Sequence, residues 1–465
     1  MTAPLRVHVD VTDTVATHWR AGIQRVVLQV LAQLRADQRL EVRPVVWLES
    51  ARSFRSLTPH EQASLDPFGS ERSATPDPVG KPGRPERVLA AVRPRLGHVR
   101  RAVKALLVAT RIEPLLRRAR AAPSCGSSRD RHLVPLVVDL PSGSVLLEMD
   151  TVWNNLWLDR SELYEQLHAG GVLVAALVHD LLPQEHPEWF ENSLVKVSDR
   201  TIRAQVAGAD LLLVTSNDGA QRVVSWASDQ GLDPVEPTVV TLGADGAAAA
   251  PGQDPSDGTG SPAGSPAELP AELEGARFAL CVGTIEPRKN HVTLLDAFDL
   301  IWADDPGAHL VLVGRPGWHS EDVIARIVEH PHVGGRLHWY RGVDDAQLEA
   351  FYESARVVAV ASLAEGYGLP VIEALSHSTP VVASDVGALV EAGAGLVDHV
   401  GARDASAWAA AMGSLLADDS AAVLRRKALA DYRPPVWADT GRQVAGLLVE
   451  RFVASPAQYD PGSKP

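Results

Sequence analysis

The chain has 465 residues, 45% of them apolar, a formal net charge of −14 and two cysteines. That length exceeds one ordinary hydrophobic core and points to two domains of roughly 150–200 residues each, and the acidic balance argues against general nucleic-acid binding. No uninterrupted apolar stretch of about 18 residues is present, so a membrane span is not expected, and Cys125 and Cys281 make neither a disulfide framework nor a thiolate metal site.

The opening MTAPLRVHVDV enters a strand pattern directly, without the apolar core of a secretory leader, so a cytoplasmic protein is expected. From there strand-like and helix-like patterns alternate: LRVHVDV, GIQRVVLQVLAQLRAD, LEVRPVVWLE, SVLLEMD, ELYEQLHAGG, VLVAALVHD, DRTIRAQVAGA, DLLLVTS and PTVVTLG. Short continuous apolar runs bounded by turn residues predict parallel strands covered on both faces, hence a doubly wound sheet over residues 1–245.

A basic insertion interrupts this domain at about 51–132, where 17 Lys and Arg stand against 7 Asp and Glu. Within it Leu89, Val92, Leu96, Val99, Val103, Leu106 and Leu107 recur near helical period with arginines between them, broken at Pro94. The segment 84–122 therefore fits an interfacial helix on anionic lipid, peripheral on the inner face of a membrane. A helix packed on its own domain with a solvated basic face fits the same pattern.

Residues 246–275, rich in Gly, Pro, Ala and Ser, cannot bury enough apolar surface to order themselves and predict a flexible linker. A second alternation follows over 276–435: RFALCVGT, HVTLLDAFDLIWA, AHLVLVGR, EDVIARIVEH, RLHWYRG, DAQLEAFYESA, RVVAVAS, GLPVIEALSHS, PVVAS, AGLVD and ASAWAAAMGSLLA. A C-terminal helix and tail, 436–465, are expected to pack back toward the first domain. Two doubly wound α/β domains leave a cleft between them, and ligands in such sheets bind beyond the carboxyl ends of the strands.

Several motifs fall on strand-to-helix turns. VGTIEPRKN places Gly283, Arg288, Lys289 and Asn290 between the first strand of the second domain and its helix. Two adjacent cations beside a helix N-terminus make an anion site suited to a diphosphate. LVGRPGW sets Gly314 and Arg315 after the next strand, where a small residue lets backbone approach a base or ribose. In EGYGLPVIEA, Gly366 and Gly368 permit a turn and Pro370 suits the first turn of the next helix. Glu365 and Glu373 then face one ligand from different heights, one at a sugar and one at a ribose. In the first domain ALVHDLLP ends a strand with His179 and Asp180 at the cleft, and HWRAGIQRVV sets Gly22, with Arg20 and Arg25 beside it, where a phosphate or sugar can come close.

Together GTIEPRKN, LVGRPGW, EGYGLPVIEAL with its Glu-x7-Glu spacing, TPVVASDVGAL, GIQRVV and VHDLLP make the chain resemble a retaining, nucleotide-sugar-dependent glycosyltransferase of family 4, of mannosyltransferase-like kind. The resemblance implies the GT-B architecture, two Rossmann-like doubly wound parallel-sheet domains facing a central cleft. It also implies that Arg288 and Lys289 hold the donor diphosphate and that Glu373 contacts the ribose. Glu365, with the backbone of Gly366, Tyr367, Gly368 and Leu369, would hold the donor sugar, and His179 would contact that sugar. The implied reaction moves a hexosyl, first of all a mannosyl, unit from a nucleotide diphosphate sugar to a glycan or lipid-linked acceptor in cell-surface polysaccharide synthesis; GDP-mannose is the first donor to consider. Ser378 stands where a Gly usually precedes TPVV, and Ala361 where a Pro usually precedes the Ser before the Glu loop, which puts sugar specificity in question.

No Asp-x-Asp pair and no His-Glu-x-x-His are present, so no cofactor or metal is expected and the leaving nucleotide's charge falls to Arg288, Lys289 and a helix dipole. Nor is there a G-x-x-x-x-G-K-[ST] loop. The alternatives are an epimerase or phosphorylase on the same architecture and a non-catalytic sugar-nucleotide-binding assembly subunit.

Overall fold

In the computed structural model of the protein, residues 3–17, 22–65, 139–151, 158–244 and 269–454 are described. Two sheets organise them. The first has seven strands in the order β3-β2-β1-β4-β5-β6-β7: β1 Leu5–Asp10, β2 Leu40–Leu48, β3 Ser53–Ser56, β4 Val145–Glu148, β5 Leu173–Val178, β6 Leu211–Val214 and β7 Thr238–Val239. The second has six, in the order β10-β9-β8-β11-β12-β13: β8 Arg277–Val282, β9 Ala308–Val313, β10 Leu337–Tyr340, β11 Val357–Val360, β12 Val381–Ser384 and β13 Asp398–Val400.

Every residue of β4, β6, β10, β11 and β12 is buried, which is why β6 and β11 appear as unbroken apolar runs rather than alternating ones, while β4, β10 and β12 bury the polar Glu148, His338 and Ser384 as well. Helices cover both faces of each sheet, dividing the core of each domain into two apolar clusters. In both sheets the strand order reverses beside the first strand, between β1 and β4 and between β8 and β11, the position at which such sheets open a ligand crevice.

Three details differ from the sequence reading. The first sheet is not wholly parallel, because β3 pairs antiparallel with β2 at the edge, Trp47 opposite Phe54. Residues 53–64, assigned above to the basic insertion, thus belong to the domain: after β3 a short helix, Pro59–Ser64, is held by a capping box in which Thr58 and Glu61 exchange hydrogen bonds. AGLVD was expected to be a strand, but Ala394 takes a left-handed conformation at the end of the helix Gly387–Gly393, so β13 begins only at Asp398. The segment 84–122, for which an interfacial helix was one expectation, Arg20 and residues 245–268 of the linker lie outside the described residues.

The helix Trp437–Val449 crosses to the first domain and lies along the helix Ile23–Ala36; Trp437, Val444, Ala445 and Leu448 join Val27, Leu31 and Leu34 in one core. Close packing is possible because Gly441 has no side chain: a Cβ there would come within 2.2 Å of Gln33 Cβ.

Candidate active site

β8 and β11 are neighbours, so the loops leaving their carboxyl ends run side by side. The first carries Pro287–Lys289 into the helix His291–Asp304; the second carries Ser362 and Glu365 into the helix Leu369–Ser376. Asn290 fastens the two loops together, its Nδ2 donating to Ala361 O at 3.0 Å and to Ala402 O at 2.6 Å. Ala361, the residue in the place of a proline, is buried and supplies that carbonyl.

The Glu365 carboxylate is the hub. Arg288 Nη1 donates to its Oε2 at 2.9 Å, Ser362 Oγ donates to its Oε1 at 2.6 Å, and Lys289 Nζ also donates to Oε1. Burial acts to raise the Glu365 carboxyl, but the charges of Lys289 and Arg288 outweigh it and hold the group down to about 2. Glu365 is therefore an acceptor-only anion at neutral pH. Arg288 Nε pairs with Glu286 Oε1 at 2.8 Å. Burial disfavours the guanidinium charge, yet Glu365, Glu286 and Asp180 together raise the Arg288 pKa.

Glu373, one turn into its helix, lies apart from this hub. Its Oε2 accepts from the Tyr352 hydroxyl at 2.7 Å and its Oε1 from Arg25 Nη1 at 2.6 Å. Arg25 belongs to the first domain, and its Nη2 reaches Asp345 Oδ1 at 2.7 Å. The two glutamates of EGYGLPVIEA thus serve separate polar clusters.

From the first domain, His179 and Asp180 follow β5 and meet the Glu365 loop. A Cβ on Gly366 would lie 2.5 Å from His179 O and 3.0 Å from Asp180 Cβ, so only glycine allows the two domains this approach. His179 Nε2 lies 2.7 Å from Met149 O. A carbonyl only accepts, so Nε2 carries the hydrogen; burial lowers the ring's pKa and keeps it neutral, leaving Nδ1 as the acceptor nitrogen. Burial raises the Asp180 carboxyl, opposed chiefly by Arg288.

The remaining expected site residues have these surroundings. The Tyr367 hydroxyl donates to Leu242 O at 2.8 Å and accepts from Leu242 N at 3.0 Å, pinning the loop to the first domain and leaving its backbone as the part expected at the sugar. The Gly366 carbonyl accepts from Ser216 Oγ at 3.0 Å and Thr215 Oγ1 at 3.3 Å. Gly314 has a packing reason in addition to any approach by a ligand: with φ of 156°, its Cβ would lie 1.8 Å from Gly283 O. Arg315 is exposed and its Nε donates to Arg341 O at 3.3 Å. Gly22 caps the helix Ile23–Ala36, with nothing among the described residues within 4 Å of its missing side chain. Gly283 ends β8 beside the Lys289 stem, and Gly368 and Leu369 start the helix that carries Glu373. Ser378 adopts φ of 53°, the backbone region that favours the glycine it replaces.

Sequence reasoning passed over Glu286, Ser362, Tyr352, Asp345 and Arg222. Glu286 lies within GTIEPRKN, and Ser362 stands three positions before Glu365. Arg222, whose Nη1 donates to Glu365 O at 3.2 Å from the first domain, gives no local signal.

Residues 269–432 match the family model for glycosyl transferases group 1. This part of the chain is a group 1 glycosyltransferase domain. The serotype-specific mannosyltransferase WbdA of Escherichia coli is 31% identical over 225 residues, 47% of this chain and 27% of that protein. The Escherichia coli O-antigen chain mannosyltransferase B is 29% identical over 245 residues, 52% of this chain and 61% of that protein. The chain thus spans about a quarter of the length of the first relative. Two solved structures share the fold across nearly the whole chain. Sucrose-phosphate synthase from Thermosynechococcus elongatus has a TM-score of 0.55 at 19% identity, covering 97% of this chain and 100% of that one. Anabaena HepE in complex with UDP and glucose has a TM-score of 0.55 at 14% identity, covering 96% and 100%. The glycosyltransferase domain therefore forms the second half of a GT-B architecture, with the crevice between its sheet and that of the first domain.

Proposed function

We propose that the protein is a retaining hexosyltransferase, a mannosyltransferase in the first instance, that takes its sugar from a nucleotide diphosphate donor and passes it to a glycan or lipid-linked acceptor in polysaccharide synthesis. The observation that carries the proposal is the Glu365 hub. Arg288 and Lys289 bind a carboxylate at the carboxyl ends of two strands flanking the reversal of strand order. Relatives named as mannosyltransferases support the choice of sugar, and GDP-mannose is the donor to test first.

In this reading the donor diphosphate takes over Arg288 and Lys289, and the released Glu365 carboxylate accepts hydrogen bonds from sugar hydroxyls. His179 contacts the same sugar. Glu373 accepts from the ribose. The bond between the anomeric carbon and the diphosphate oxygen breaks with its electron pair leaving on that oxygen. The acceptor oxygen bonds to the same face of the carbon, and its proton passes to the departing phosphate. The protein supplies positioning and charge stabilisation rather than a covalent nucleophile.

Nucleotide release measured across a panel of nucleotide sugars, with and without a membrane extract as acceptor source, tests the proposal. Release that depends on acceptor and persists in EDTA is expected. Release without acceptor favours an epimerase or phosphorylase, and binding without release an assembly subunit. No helix of the described residues is long and apolar enough to cross a membrane. Contact with anionic lipid through residues 84–122 is proposed from sequence, and liposome flotation of a chain lacking them tests it.

A further inference from the structure

Arg25 stands in the first turn of the helix Ile23–Ala36, in the first domain, but both ends of its guanidinium rest on carboxylates of the second. Nη1 donates to Glu373 Oε1 at 2.6 Å and Nη2 to Asp345 Oδ1 at 2.7 Å. Glu373 is 9% exposed and its remaining oxygen is held by the Tyr352 hydroxyl. Both oxygens of the carboxylate are therefore already engaged by donors of the protein itself.

The chemistry of that arrangement is specific. A vicinal diol binds a carboxylate by donating one hydroxyl hydrogen to each oxygen. A guanidinium N–H meets the same acceptor as one of those hydroxyls: here Nη1 occupies Glu373 Oε1 while Nη2 is held by Asp345. Tyr352 is fully buried beneath Glu373 and has no path away from it. Arg25 differs: its side chain remains 26% exposed.

We propose that Arg25 is an internal occupant of the ribose subsite. In the ligand-free chain its guanidinium satisfies Glu373, and the ribose hydroxyls of an incoming nucleotide displace it, leaving it tethered to Asp345. The inference rests on the reading that Glu373 binds ribose. It adds a competition that this reading alone does not contain: every nucleotide must break an interdomain ion pair to enter.

Calorimetric titration of the full chain with GDP and with UDP alone tests this. Arg25→Ala is expected to tighten binding of whichever nucleotide the wild type prefers by about two- to fivefold, the span of a partly exposed ion pair. Arg25→Gln, which preserves bulk but not charge, should do the same if alanine destabilises the helix. Glu373→Gln should weaken binding, and adding Arg25→Ala to it should change affinity by less than about twofold, because the competitor has then lost its target. If Glu373→Gln weakens binding but both Arg25 variants leave it unchanged or weaken it, the competition is overturned while the ribose assignment stands. If Glu373→Gln leaves nucleotide affinity unchanged, the ribose assignment falls and the proposal falls with it.

Discussion

Arg288 Nη1 lies 2.9 Å from Glu365 Oε2, so the carboxylate proposed for the donor sugar is the counter-ion of a cation proposed for the diphosphate. Lys289 shares the same carboxylate. The site is thus balanced before the donor arrives, and binding exchanges one anion for another instead of building a new cationic pocket. Replacing Arg288 or Lys289 by Ala should lower turnover by about 10²–10³, the usual cost of one preorganised stabilising charge. The Arg288 variant should also lose on the order of 3 kcal/mol of stability, because Glu365 and Glu286 are left buried without their shared partner. Steady-state kinetics beside a denaturant titration checks both; wild-type turnover in both variants would remove the diphosphate assignment.

Domain closure depends on Gly366. Its missing side chain leaves 2.5 Å between the position of a Cβ and the His179 carbonyl, and a backbone carbonyl cannot rotate away as a side chain can. Gly366→Ala should push the domains apart by about an ångström and lower kcat/KM by about 10²-fold without unfolding either domain. Small-angle scattering and kinetics together measure this. Wild-type kinetics would mean that the contact has no part in turnover.

Two buried carboxylates of the first domain set a pH dependence. Burial lifts Asp150 to about 7, against a hydrogen bond from Thr14 N and with repulsion from Asp10 and Asp13; burial and Glu148 lift Asp10 to about 6. Both folded pKa values lie above the unfolded carboxylate value, so the folded chain holds protons that the unfolded chain has lost. Their contribution to stability is complete below about pH 4 and disappears as pH rises through 6–7. Relative to wild type, Asp150→Asn should therefore gain in Tm as pH rises from 5 to 8. A Tm difference that stays constant over that range would contradict the assignment.

Ser378 occupies left-handed backbone, a conformation that costs a residue with a Cβ roughly 1–2 kcal/mol. Ser378→Gly should raise stability by about 0.5–1 kcal/mol once the extra freedom of glycine in the unfolded chain is subtracted. Chemical denaturation measures the change, and a loss of stability would mean that the serine makes a compensating contact.

Much of this architecture was legible because the signals are local. Leu211–Val214 and Val357–Val360 are buried on both faces, so they stand out as unbroken apolar runs in the sequence. Arg288, Lys289 and Glu365 fall on turns whose neighbours mark them as strand ends. The edge strand β3 was missed because SFRS carries one buried residue and no apolar run. Which side chains pair across the domains was not legible. Arg25 and Glu373 are 348 positions apart, and no periodicity records which loops of two separate sheets will meet. For the same reason nothing local marks Glu391, which crosses between domains to accept from Asn217 N at 3.0 and 2.9 Å at the start of the helix Asn217–Asp229.

The central claim is that Glu365 serves the reacting sugar and Glu373 the nucleotide. Calorimetry with the bare nucleoside diphosphate, read beside steady-state kinetics on Glu365→Gln and Glu373→Gln chains shown to be folded by circular dichroism, tests it most directly. Losing an acceptor for the ribose should weaken nucleotide binding by about 1–2 kcal/mol and raise the donor KM in Glu373→Gln. Losing the acceptor for the sugar should leave nucleotide binding nearly unchanged and lower kcat by about 10² or more in Glu365→Gln. Nucleotide affinity lost in Glu365→Gln and retained in Glu373→Gln would contradict the account.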